Sequence, residues 1–162
     1  MNIVETLIED IIIDINNVRV HDRKSIESIK KSLQEFEQYK PIVVQKSSNV
    51  IIAGNGTYQA MKELGWEKIN CLFLDLDDEQ SKILSVIDNQ TSDLSEWDNN
   101  ALTECLYNLD DKYQDISGFF QEDINNLMNR IEHFDKSDMT EKMNTPTLQC
   151  PHCNHQFNEN FN

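Results

Sequence analysis

Residues 50–65 read VIIAGNGTYQAMKELG, a short apolar strand that breaks at Ala53-Gly54-Asn55-Gly56 and turns directly into an amphipathic helix. Two glycines bracketing Asn55 remove side chains that would hold a ligand away from the backbone, and they permit positive φ at the turn. The amides of Gly56, Thr57 and Tyr58 are expected to open the helix unpaired, where they and the helix dipole favour an anion such as phosphate. Tyr58, Met61 and Leu64 share one helical face, and Gly65 sits where a C-cap belongs, so the helix is short and its start well fixed. An ordinary strand-to-helix turn is the competing reading, because GxG turns are common and this one lacks the basic residue of a P-loop.

Outward from that run the chain alternates strands and helices. Ile8 to Ile15 reads as a strand ending at Asn16-Asn17, and Asp22 is placed to cap a helix over Arg23 to Tyr39 with Ile26, Ile29, Leu33 and Phe36 on one face. Pro41 stops that helix, and Ile42 to Gln45 with Val50 to Ala53 read as a hairpin. Ile69 to Leu74 is a further buried strand, followed by a helix over Asp78 to Asp88 with Ile83, Leu84 and Ile87 inward and a polar connector to Asp98. Ala101 to Leu109 and Glu122 to Ile131 are helical by period, the first with Leu102, Cys105, Leu106 and Leu109 on its stripe, and they could form an antiparallel pair. The order implies an α/β (α+β) fold, a small mixed sheet with flanking helices. Residues 1–98 form the expected domain, 99–132 a helical extension, 133–149 a polar linker and 150–162 a zinc-knuckle-like tail.

At 162 residues the chain can bury one core with a small appendage. No signal-like start and no apolar run of membrane length is visible, so a cytoplasmic protein without membrane partners is expected. The net charge of -15 is unevenly placed: residues 1–74 hold 9 basic and 10 acidic side chains, leaving 5 and 19 for residues 75–162. Direct binding of duplex DNA by the isolated chain, which needs several Lys or Arg against phosphates, is therefore disfavoured. Cys71 and Cys105 lie in apolar patterns and only Cys150 and Cys153 are close in sequence, which is the usage of reduced thiols rather than of a disulfide framework.

Several boxes, in order, carry a family resemblance. Asn17-Val18-Arg19 with His21-Asp22, then Lys40-Pro41-Ile42-Val43-Val44, then Val50 to Ala60 with Leu64-Gly65, and Asp88-Asn89-Gln90-Thr91 to Trp97-Asp98 resemble those of a ParB N-terminal domain of the ParB/sulfiredoxin superfamily, in its phage or mobile-element form. Ile116-Ser117-Gly118-Phe119 matches the turn that follows in such members. The resemblance implies a site for CTP or ATP with Mg²⁺, in which Gly54, Asn55, Gly56 and Thr57 line the phosphate loop and Arg19 and His21 face it. The family box usually ends in a basic residue where this chain has Thr57, a loss of about 1.5 to 3 kcal/mol of charge-assisted bonding unless Arg19 supplies the charge. Asn55 stands where sulfiredoxin has its cysteine, which excludes reduction of an oxidised cysteine.

The resemblance implies a nucleotide-binding, NTP-hydrolysing protein in phage or mobile-element DNA transactions, with a homodimer as an expected assembly. A phosphotransferase or nuclease linked to DNA modification is the first alternative, with His21 and Asp22 as acid–base candidates, Asp14 flanking the same box, and a helix cap the plainer role of Asp22. An inactive acidic adaptor for a DNA-modification or packaging protein is the second. In the tail, Cys150-Pro151-His152-Cys153 has the spacing to grip Zn²⁺, with His155 as a further ligand and His152, His133 or a second chain to complete the set; a tail with two spare thiols is the alternative.

Overall fold

The computed structural model describes residues 2–130, 148–149 and 156–157, arranged as two compact units. The first unit comprises Met1–Trp97 with Asp110–Phe119, and the second Asp98–Leu109 with Phe120–Asn162.

The first unit is built on a four-stranded sheet. In chain order it contains β1 (Ile3–Leu7), α1 (Arg23–Phe36), β2 (Ile42–Gln45), β3 (Ile51–Ala53), α2 (Asn55–Glu63), β4 (Lys68–Leu74) and α3 (Asp78–Asp93). Strand order is β1-β4-β2-β3, with β4 and β2 parallel and both outer pairs antiparallel. Ile42 and Val44 of β2 and Ile69 and Cys71 of β4 alternate onto one face, where they meet Ile26 and Leu33 of α1 and Tyr58, Ala60 and Met61 of α2 in the core. Burial raises the Cys71 thiol above its ordinary value, partly offset by a hydrogen bond from Thr6.

The first strand is not where periodicity puts it. β1 ends at Leu7, opposite Lys68, the first residue of β4, so the strand stops where its partner does. Ile8–Asp10 forms a single 3-10 turn instead, and of the expected Ile8 to Ile15 strand only Ile12 pairs, in one parallel bridge to Val50. The Tyr58 hydroxyl donates to the Ile8 and Ile11 carbonyls at 3.2 and 3.0 Å and ties this segment to α2. Burial pushes the Tyr58 phenol above its ordinary pKa.

Two helix ends also move. α1 ends at Phe36 rather than Tyr39, because Glu37 takes φ 58° and the Gln38 amide turns away to hold the Lys40 and Asn70 backbones. α3 continues five residues beyond Asp88, since Asn89, Thr91 and Ser92 bond back to carbonyls of the preceding turn instead of leaving the helix. Its expected apolar face is not buried: Ile83 and Ile87 are exposed and Leu84 is half-buried. A six-residue helix that the period does not show, α5 (Asp111–Ile116), belongs to the first unit, where Lys112–Glu35 and Lys31–Asp115 ion pairs hold it to α1.

In the second unit α4 (Asn99–Tyr107) and α6 (Gln121–Arg130) pack together, burying Thr103 and Leu106 against Ile124 and Leu127. Cys105, expected on the α4 stripe, is exposed. β5 (Leu148–Gln149) pairs antiparallel with β6 (Gln156–Phe157). Cys150, Cys153, His152 and His155, like His133, lie outside the described residues. Among the described residues no helix is long and apolar enough to cross a membrane.

Candidate functional site

The turn from β3 into α2 is set by two glycines that have different reasons to be there. Gly54 is the N-cap and takes φ +100°, and a Cβ on it would stand 2.8 Å from Cδ1 of the fully buried Ile42. Gly56 has helical backbone, but a Cβ on it would stand 2.8 to 2.9 Å from three atoms of the His21 imidazole, so the ring lies against the bare Cα. His21 Nδ1 is 3.3 Å from Ser25 Oγ of α1, which orients the ring from behind. At the far end, Gly65 (φ +76°) donates to Lys62 O and Trp66 to Met61 O, the paired bonds of a Schellman stop.

A glycine cap brings no side chain to the first turn, and the first amide paired to backbone is Tyr58 N, which donates to Gly54 O at 2.9 Å. The helix therefore starts one residue earlier than its sequence suggests. The amides that open it are those of Asn55, Gly56 and Thr57, and Tyr58 is not among them. Asn55 is buried and its Oδ1 accepts from Asp14 N, so this side chain braces the loop rather than reaching outward.

These residues line a cavity of about 180 Å³. Arg19, His21, Gly54, Asn55, Gly56 and Thr57, all singled out from sequence, meet there, and Asp22 is not in the lining. Asp22 instead caps α1, its Oδ1 accepting from Ser25 N at 2.7 Å. Asp14 lines a different cavity, of about 420 Å³, that touches none of the loop glycines. Asn17, Asp88 and Asn89 also face the smaller cavity; Asn89 lies in the part of α3 that runs on past Asp88, and the sequence signal for the two is the Asp-Asn pair itself. Thr57 and Ile29 are shared with a third cavity of about 260 Å³ that also touches Ser28, Lys40 and Ser117. A site of 180 Å³ is smaller than the roughly 300–1,000 Å³ usual for a small-molecule pocket, and Ile29 and Thr57 form the wall it shares with the third cavity.

The site's charge is nearly balanced. Arg19 is the guanidinium in the lining, and its Nη1 donates to both carboxylate oxygens of Asp93 at 3.0 and 2.9 Å. Asp88 adds a carboxylate. The groups here that could face an anion are three amides, the positive end of the α2 dipole and whatever part of Arg19 is not held by Asp93. Among the described residues no cluster of three His, Cys, Asp or Glu side chains could hold a metal ion alone.

Comparison with known proteins gives a consistent picture. Residues 1–90 match the family model described as the ParB N-terminal domain. The chain is 32% identical over 73 residues to a nucleoid occlusion protein of Lysinibacillus sphaericus, a match covering 43% of the chain and 24% of that protein. It is 31% identical over 70 residues to a probable chromosome-partitioning protein ParB of Campylobacter jejuni, covering 42% of the chain and 25% of the relative. The matched segment thus spans about a quarter of either relative. Among solved structures, the C-terminally truncated chromosome-partitioning protein ParB of Caulobacter crescentus, complexed with CTP-γ-S, superposes with a TM-score of 0.66 at 18% identity, covering 88% of this chain and 87% of that one.

Proposed function

The chain belongs to the ParB N-terminal domain family, and from that premise we propose that it binds a nucleoside triphosphate at the start of α2. The observation that carries the reading is the convergence of the bare Gly54–Thr57 turn, Arg19 and His21 on one cavity, in a fold whose Caulobacter crescentus counterpart holds a CTP analogue. The three open amides take phosphate oxygens, and Gly56 lets them approach because no side chain stands between His21 and the helix start.

Asp88 and Asn89 fit a Mg²⁺ that travels with the nucleotide. A carboxylate beside phosphates repels them, and Mg²⁺ is typically held through one or two carboxylates plus phosphate oxygens, which are the hard donors this pair supplies. When bound, the ion neutralises phosphate charge; this chain's own groups bind and orient the ligand. CTP and ATP are the nucleotides this reading favours. Hydrolysis is a further step of it, with His21, the titratable ring lying against Gly56, as the acid–base group. The DNA transactions of a phage or mobile element are the setting that the Asp88 to Asp98 box supports.

An adaptor without nucleotide dependence is the second reading, favoured by the commitment of Arg19 to Asp93 and by the 19 acidic against 5 basic side chains after Leu74. One experiment separates the two: thermal unfolding of the purified chain with CTP, ATP, GTP or ADP and Mg²⁺. A ligand at a hundred times its Kd stabilises by about 2.7 kcal/mol, or roughly 5–11 °C in a chain of this size. A rise with one nucleotide that is lost in Gly56→Val and Arg19→Ala supports the site, and no rise at millimolar nucleotide supports the adaptor.

A further inference from the structure

We infer that Asp93 is a built-in competitor for the phosphate of the bound nucleotide, setting affinity through its hold on Arg19; the inference rests on the nucleotide site proposed above. Arg19 is anchored at its backbone, since Asn17 Nδ2 donates to Arg19 O at 2.9 Å and Arg19 N donates to Asn17 Oδ1 at 3.4 Å. Its Cα is therefore fixed beside the cavity and only the side chain is free to choose a partner. Both bonds to Asp93 come from Nη1, a side-on contact rather than the two-nitrogen fork that gives arginine–carboxylate pairs their rigidity.

Asp93 also stands at an unfavourable place for a carboxylate. It is the last residue of α3, whose final turn contains no basic residue, so it faces the negative end of the helix dipole. Pairing with Arg19 offsets that repulsion. The pair is open to solvent, with side-chain exposures of 39% and 55%, which makes it a weak and readily exchanged contact. A phosphate seated on the α2 amides shares the cavity with Arg19 and offers a higher charge and more acceptor oxygens than Asp93. The guanidinium then changes partner, and the lost ion pair is subtracted from the ligand's affinity.

Exposed ion pairs are worth about 0.2–1 kcal/mol, which converts to a roughly 1.4- to 5-fold change in Kd. Calorimetric titration of CTP with Mg²⁺, and of ATP in parallel, into the full chain is the test. Asp93→Asn is expected to bind more tightly by that factor. Glu96→Gln, which makes the same charge change three residues on, is expected to bind as the wild type does. Unchanged or weaker binding by Asp93→Asn overturns the inference, and so does equal tightening by both variants, which would be a bulk charge effect. Wild-type protein that binds neither nucleotide overturns the proposed site and this inference with it, whereas wild-type binding with an inert Asp93→Asn removes the inference alone.

Discussion

Replacing each loop glycine by alanine should separate the fold from the site. At Gly54 the new methyl meets Ile42 Cδ1 at 2.8 Å, and Ile42 is 1% exposed, so the core has nowhere to yield. Overpacking of this kind costs about 1–3 kcal/mol, and a left-handed residue with a Cβ adds roughly 1–2 kcal/mol. Gly54→Ala is therefore expected to lose at least about 2 kcal/mol, lowering Tm by roughly 4 °C or more. At Gly56 the obstacle is the end of one half-buried side chain, His21, steadied by a 3.3 Å contact to Ser25. The ring can swing aside, and alanine gains up to about 1 kcal/mol over glycine in helical backbone, so stability should stay within about 1 kcal/mol of wild type. Binding should not survive as well: the methyl and the displaced ring occupy the space in front of the open amides, and a Kd for CTP at least about ten-fold higher, 1.4 kcal/mol, is expected. Thermal unfolding and calorimetric titration on both variants read the two effects. The reasoning is refuted if Gly56→Ala is the less stable of the pair, or if it binds CTP as tightly as wild type.

Tyr58→Phe removes the hydroxyl that serves the Ile8 and Ile11 carbonyls and should cost about 1–3 kcal/mol in urea unfolding. Because burial raises the folded-state pKa of Tyr58, its contribution is full below the unfolded value near 10 and declines as pH rises through the folded one; a flatter alkaline stability profile in Tyr58→Phe checks the sign. Asp22→Asn keeps an N-cap oxygen and should leave Tm and CTP affinity unchanged, while Asp22→Ala should lose about 1 kcal/mol of stability; loss of turnover in Asp22→Asn at unchanged Tm would instead make the carboxylate catalytic. If Cys150 and Cys153 grip zinc, the purified chain should carry it by elemental analysis, at one ion per chain or per two chains, and Cys150→Ser should abolish it.

The parts of this molecule that were legible in its sequence are those fixed by neighbours in the chain. The α2 start and stop depend on Gly54, Gly56 and Gly65, whose φ requirements and close approaches act within a few residues, and both ends were read to within one position. β1 was misplaced because a strand's extent is decided by its partner, and β4 lies more than sixty residues on. The length of α3 was hidden because Asn89, Thr91 and Ser92 have side chains that suit a turn equally well, and only their bonds to the previous turn keep the helix going. That same extension carries Asn89 to the cavity beside Asp88 and puts Asp93 against Arg19. Sequence identifies the arginine readily; its partner, 74 residues away, is set by tertiary structure alone. α5 is hidden for a related reason, since six residues carry no period and its hold on α1 comes from two ion pairs and the stacked Phe36 and Tyr113 rings, all set by tertiary structure.

The central claim is that a nucleotide's phosphates sit on the amides that open α2, and nitrogen-15 amide spectroscopy reads those amides directly. The chain has 4 glycines, whose amides fall in a sparsely populated region of the spectrum, and they include Gly54 and Gly56 at one end of α2 and Gly65 at the other. Titration with CTP and Mg²⁺, with ATP in parallel, should move the Gly56 resonance, with Gly54 following, and leave Gly65 in place. Gly54 and Gly56 resonances that stay fixed at millimolar nucleotide would contradict the account.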